Sequence, residues 1–154
     1  MTIKLAILGA GEIAEKHLHS LNKISDFKVS YICDIDLHKA NKLATKCSES
    51  KAINNIDIIL NNKEVDIIDI CMPPYLHFST ALKFLETGKH VICEKPISTS
   101  VEDAQKLVEF SKKSKKNFYP VFQCRYGKNI KILKYLISKN ITGAPIVASS
   151  EVHW

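Results

Sequence analysis

No apolar run in this sequence is long enough to span a bilayer, which excludes a helical membrane anchor within its 154 residues. No leader is expected either. The first strand-like run begins at Ile3, so neither a signal nor a transit peptide is expected, and the cytoplasm is the expected location. The five cysteines are odd in number and form no C-x-x-C pair. No disulfide framework and no metal are expected, and Cys33, Cys71 and Cys93, set in apolar runs, read as core packing. Internal repeats and low-complexity linkers are absent. Acidic residues are the minority charge, 16 against 22 Lys and Arg, for a net charge of +6. The excess sits in Lys112, Lys113, Lys115 and Lys116 and along Lys128, Lys131, Lys134 and Lys139. Such runs are either solvated helix faces or a nucleic-acid patch. Without interleaved aromatics or a nucleic-acid motif, no nucleic-acid partner is expected.

What is present fits an ordinary globular chain: 45% hydrophobic and 25% charged residues, with enough length to bury a core. The apolar run Ile3–Leu8 meets Gly9 and Gly11, after which Ile13, Ala14, His17, Leu18 and Leu21 recur at helical spacing. This reads as a buried strand turning sharply into a helix, in the pattern G-x-G-x-x-A. Gly9 allows the tight turn, Gly11 lets backbone approach a pyrophosphate, and Ala14 lets helix pack on strand. The N–H groups opening the helix, through Glu12 and Ile13, then face the phosphates with the helix dipole behind them.

Further along, Phe27, Val29, Tyr31 and Cys33 alternate as a second strand, and Asp36 is the expected N-cap of a helix through Cys47. A minor strand falls at Lys51–Ile53, and Asn54 is expected to cap a short helix. Val65–Cys71 reads as a parallel strand buried on both faces, stopped by Pro73-Pro74. His77–Thr87 is a helix with Gly88 at its stop, followed by a strand at His90–Cys93. Ser100 with Asp103 resembles a capping box, opening a helix whose inner face is Val101, Ala104, Leu107, Val108 and Ser111. Phe118–Cys124 is a strand with Pro120 at an edge, Ile130–Lys139 a helix, and Pro145–Trp154 a last strand expected to pack back on the domain or pair with another copy. Strands and helices alternating in this way predict an α/β fold, a doubly wound parallel sheet with helices on both faces.

Three further stations fall at strand ends. Asp34 lies about 20 residues beyond the glycine turn, where an acid accepts hydrogen bonds from the adenosine ribose and repels a 2′-phosphate. It favours NAD over NADP, with a helix-capping role as the other reading; Ile35 follows it into the same loop. Cys71, Met72, Pro73 and His77 follow the strand after the topological switch and are expected to line the cofactor cleft, His77 either as a ligand contact or as a helix-start residue. Glu94-Lys95-Pro96 closes the next strand on the same rim.

The runs Val65–His77 and Gly88–Pro96, with Gly9–Ala14 and Phe122-Gln123-Cys124-Arg125-Tyr126, make the sequence resemble the Gfo/Idh/MocA oxidoreductases. That resemblance implies a Rossmann domain over residues 1–124 and the start of a second α/β substrate domain over 125–154. It implies hydride transfer between NAD, or less readily NADP, and a hydroxyl carbon of a sugar, cyclitol or nucleotide sugar. By matched position, Lys95 orients or polarises that hydroxyl, Glu94 contacts the nicotinamide side, the Pro73–His77 loop passes under the cofactor, and Gln123 joins the cofactor contacts. Pro73-Pro74 stands where many members have Pro-Asn. The sequence stops at Trp154, short of the Asp/His pair that the family's second domain supplies, so this chain alone is expected to bind cofactor without turnover. The implied partners are a small sugar-like substrate and, through the second domain, another copy of the chain. A dinucleotide-binding or redox-sensing module without catalysis stays open as the alternative, whereas the strand-end motifs disfavour a basic nucleic-acid binder.

Overall fold

The computed structural model describes residues 2–145. Its elements are β1 (Ile3–Leu8), α1 (Glu12–Leu21), β2 (Phe27–Cys33), α2 (Leu37–Ala44), β3 (Lys51–Ile53), α3 (Asp57–Leu60), β4 (Ile67–Ile70), α4 (His77–Glu86), β5 (His90–Cys93), α5 (Val101–Lys113), β6 (Phe118–Pro120) and α6 (Lys128–Ser138). Single 3-10 turns occupy Pro74–Leu76 and Gln123–Tyr126. Among the described residues, six strands pair in parallel in the order β3-β2-β1-β4-β5-β6. The order reverses between β1 and β4, the switch point of a doubly wound sheet.

Side chains of β1 alternate between two apolar cores. Leu5 and Ile7 pack with Ala14, Leu18, Ala40 and Leu43, the layer of α1 and α2. Ala6 and Leu8 pack with Ile59, Ala81, Phe84 and Leu107, the layer of α3, α4 and α5. Both faces of the central strand are therefore covered, which is why its sequence is continuously apolar.

Several local expectations are corrected. The register between β1 and β2 slips, Leu5 facing Val29 and Ala6 facing Tyr31, so Ser30 is the extra residue of a bulge. Val29 thus joins the α1 layer while Tyr31 and Cys33 join the other, and the simple alternation read from the sequence fails there. Asn55, not Asn54, bonds the start of α3, its Oδ1 accepting from Asp57 N–H at 2.8 Å. Helix α5 buries Leu107 and packs Phe110 inward, whereas Val101 and Val108 are exposed. Ser100 does cap α5, accepting from Asp103 N–H at 3.3 Å, but its own N–H is taken by Ser98 Oγ, so the reciprocal half of the capping box is absent. Asp36 caps α2 as expected. Cys33 and Cys93 are buried, and burial pushes their thiols up to about 11 and about 12.

Lys89, at the turn before β5, is a buried strut. Its Nζ donates to the carbonyls of Asn62 (2.6 Å) and Val65 (2.9 Å), and burial lowers its proton affinity. Lys89→Met is expected to take the lysine donor from both carbonyls, leaving Asn62 O with the Val65 N–H alone, and to destabilise the domain by about 1–3 kcal/mol, read as a lower urea midpoint at unchanged m-value.

The chain divides into two units after Val121. In the second, Arg125 stacks its guanidinium 5.9 Å from the Phe122 ring, and α6 ends with Asn140 and Gly143 in left-handed conformation. The last strand expected from the sequence lies, beyond Pro145, outside the described residues.

Candidate functional site

The parallel ladder runs on past the strand ends and lines up one rim. Gly9 N–H donates to Cys33 O, Asp34 N–H to Ile53 O, Cys71 N–H to Leu8 O, Glu94 N–H to Ile70 O, and Val121 N–H to Cys93 O. Gly9, Asp34, Cys71 and Glu94 therefore stand side by side at the carboxyl ends of the strands, with Ile35, Met72 and Lys95 following them. The first unit thus brings together twelve of the residues singled out in the sequence. Gln123 opens the 3-10 turn of the second unit.

Gly9 has φ +92, and a Cβ built on it would lie 2.5 Å from the Cys71 carbonyl oxygen. The switch-point strands approach too closely there for any side chain. Gly11 differs: a Cβ would meet nothing within 4 Å, and its φ is −85. It is the N-cap of α1 and supplies no side-chain cap, so the amides of the first turn, where Glu12 and Ile13 are exposed, are left to an outside acceptor. A cavity of about 300 Å³ opens beside them, lined by Ala10, Gly11, Glu12, Glu15, Asp34, Lys39, Lys42, Leu43 and Lys46. An anionic ligand fits this donor set.

Asp34 accepts from Ala10 N–H at 2.8 Å through Oδ2 and from Asp36 N–H at 2.9 Å through Oδ1. It pins the glycine turn to the end of β2, and capping of α2 is left to Asp36. Each oxygen retains a lone pair for a hydroxyl donor.

His77 is corrected as a direct ligand contact. Its ring is 1% exposed, with Nδ1 2.6 Å from Pro96 O and Nε2 2.7 Å from Met72 O. It holds the Met72–Pro73 loop to the Lys95–Pro96 turn from beneath, so its place in the site is indirect. Pro73 and Lys95 are exposed; Glu94 is buried.

A buried polar group that the sequence reading passed over lies behind this rim. Asp69, 1% exposed, sits in the middle of β4 on the α1 face. His17 of α1 meets its carboxylate through Nδ1 (2.9 Å to Oδ2) and meets Glu94 Oε1 through Nε2 (3.1 Å). Glu94 Oε2 in turn accepts from Lys95 N–H at 3.1 Å. The hydrogen bond to Asp69 is the main cause that raises the His17 pKa above 6.5; burial opposes it and Glu94 adds to it. Cys71 Sγ lies 3.5 Å from His17 Nδ1, and burial, with Asp69 and Glu94 nearby, drives its thiol far up. His17, Asp69 and Cys71 are close enough to share a cation. The ring nitrogens of His17 already face the Asp69 and Glu94 carboxylates. The signal available in the sequence was Asp69 itself: an acid inside a strand buried on both faces needs a partner.

Comparisons with known proteins bear on the family and the fold. Residues 3–122 match the oxidoreductase family described by its NAD-binding Rossmann fold. The chain is 32% identical over 150 residues to inositol 2-dehydrogenase of Salmonella paratyphi B, covering 96% of this chain and 45% of that protein. It superposes with TM-score 0.87 and 27% identity on myo-inositol dehydrogenase from Lactobacillus casei, solved with NAD(H) and myo-inositol, over 94% of this chain and 44% of that one. With the WlbA dehydrogenase from Chromobacterium violaceum, solved with NADH and UDP-GlcNAcA, the TM-score is 0.86 at 28% identity, over 92% and 41%. The chain spans about half the length of the curated relatives it matches. Among the described residues, no helix is long and apolar enough to cross a membrane.

Proposed function

The chain belongs to the Gfo/Idh/MocA oxidoreductases and carries their NAD-binding domain, and from that premise we propose that it serves a dehydrogenase of sugar-like alcohols, with NAD laid along the rim from Asp34 to Lys95. The observation that carries the reading is the uncapped start of α1, with Gly11 open beside a cavity whose wall includes Asp34. The pyrophosphate is assigned to the amides at Glu12 and Ile13, and the adenosine ribose to Asp34 and Ile35. The nicotinamide end is assigned to Cys71, Met72, Pro73, Glu94 and Lys95. Lys39, Lys42 and Lys46 share the cavity wall with Glu12, Glu15 and Asp34, Lys46 being paired with Glu15 and Lys39 with Asp36, so the helix amides are the main attraction for an anionic dinucleotide.

NAD supplies the hydride acceptor when bound. The residues of this chain orient it: Gly9 and Gly11 set the turn, and His77 braces the loop beneath. Lys95, exposed and followed by Pro96, offers its ammonium to the substrate oxygen as negative charge develops there. Residues 125–154 are read as the beginning of a substrate domain, the kind of domain to which the general acid/base and the contacts between copies are assigned. A cyclitol, sugar or nucleotide sugar is the substrate class that the named relatives suggest.

Titration with NADH and NADPH by fluorescence tests the cofactor assignment. NADH is expected to bind more tightly. Asp34→Ser removes the charge that opposes a 2′-phosphate and is expected to narrow the gap by about tenfold or more. Tighter binding of NADPH by the unaltered chain sinks the Asp34 argument, and binding of neither sinks the assignment of the rim.

A further inference from the structure

We propose that His17 is a positioning residue for the nicotinamide end of the site, an imidazolium clamped between Asp69 and Glu94 that sets how Glu94 and Lys95 are presented to the cofactor. The inference rests on the reading that this rim binds NAD.

The geometry requires the charge. Nδ1 faces Asp69 and Nε2 faces Glu94, and an ionised carboxylate is an acceptor only. With both acids ionised, both ring nitrogens must carry hydrogen for both bonds to exist. A neutral ring would turn one bare nitrogen toward a carboxylate and leave two buried acids sharing a single donor, a costly arrangement in a partly dry site. Burial disfavours the imidazolium, yet its two carboxylate partners outweigh that, in line with the raised proton affinity of His17.

The cluster links three elements: Asp69 on β4, His17 on α1, and Glu94 at the end of β5. Glu94 then fixes the Lys95 backbone through Oε2. His17 sits on the helix whose N-terminus faces the cavity, so charge at the ring is felt at both ends of the site. The titratable groups facing the ring are Asp69, Cys71 and Glu94. With its thiol driven far up, Cys71 adds no charge. Loss of the ring proton takes the cluster from one net negative charge to two and releases Glu94 from its donor. An anionic dinucleotide then meets a more negative, less ordered site. NADH is accordingly expected to bind more weakly above the His17 midpoint, by about tenfold for a one-unit difference in midpoint between the free and bound forms. Reciprocity requires NADH to raise that midpoint by the same factor.

The test is a titration of the histidine rings by 15N NMR with and without NADH, alongside NADH affinity against pH. Expected are a doubly protonated His17 ring at neutral pH, a midpoint raised further by NADH, and a drop in affinity across it. His17→Gln, which keeps a side-chain donor but does not titrate, is expected to flatten the affinity profile. Glu94→Gln in the otherwise unaltered chain is expected to lower the His17 midpoint, an arm independent of whether His17→Gln folds. A ring neutral at pH 7 overturns the proposal whatever the cofactor does. A midpoint indifferent to bound NADH also overturns it, because a purely structural ion pair behaves that way. A doubly protonated ring in a chain that binds neither NADH nor NADPH defeats the cofactor reading, and with it the positioning role.

Discussion

Gly9→Ala is expected to destabilise the domain by roughly 3–5 kcal/mol, combining left-handed backbone strain with steric overlap. The built Cβ falls 2.5 Å from Cys71 O and 2.8 Å from its carbonyl carbon, both backbone atoms of the neighbouring strand end. Neither can move without parting β1 from β4, whose ladder continues through Cys71 N–H to Leu8 O at 2.8 Å. Set against a typical domain stability of about 5–15 kcal/mol, this loss is large. Gly11→Ala is the informative contrast. Its Cβ meets nothing within 4 Å and its backbone suits an ordinary residue, so the urea midpoint is expected to stay near that of the unaltered chain. NADH affinity is expected to fall nonetheless, because the methyl occupies the space assigned to the pyrophosphate. Equal destabilisation by the two variants would sink this division of labour, in which the first glycine serves the fold and the second the ligand.

Lys95→Met is expected to leave NADH affinity largely intact and, when the chain is carried with a substrate domain, to reduce turnover on the order of 10²–10⁴-fold. The side chain is exposed, and among the described residues its Nζ holds no hydrogen bond, so nothing in the fold depends on it. Its backbone is fixed by Glu94, which leaves the ammonium as the part free to meet a substrate oxygen. Loss of turnover no larger than the loss of cofactor binding would instead limit Lys95 to its contact at the nicotinamide end and remove it from the chemistry. Circular dichroism should not separate this variant from the unaltered chain.

Acidity offers a check on the folded cluster that needs no cofactor. His17 has its proton affinity raised on folding, so its contribution to stability is fully present below about pH 6.5 and is lost as pH rises through the folded-state value. His90 works in the opposite sense, since burial and then Lys116 lower its affinity, and its contribution is lost as pH falls. The difference in stability between the unaltered chain and His17→Gln cancels the His90 part. It is expected to shrink as pH rises through the folded-state value of His17.

The glycine turn, the Asp36 cap and the strand-end stations were legible in the sequence because each is written in adjacent residues: Gly9 with Gly11, Asp36 before a periodic run, Glu94 with Lys95 and Pro96. What escaped was set by pairing at a distance. The bulge at Ser30 depends on how β2 meets β1, and no local pattern marks it. His17 fell at helical spacing among apolar residues and passed as part of the core face until Asp69, 52 positions away, supplied its partner. Val101 and Val108 looked inward by period, but the stripe of α5 that packs is narrower, centred on Leu107 and Phe110. His77 had two open readings, and its two carbonyl neighbours decide between them.

The outermost strands of the described sheet, β3 and β6, are three residues long each, and β6 ends in Pro120. A chain's tendency to build fibrils depends on how much unpaired strand edge it offers to another copy, and on whether that edge can donate N–H groups in register. Both margins here offer a short template, and the proline interrupts one of them. Among the described residues, these two margins therefore give edge-to-edge β addition little to build on.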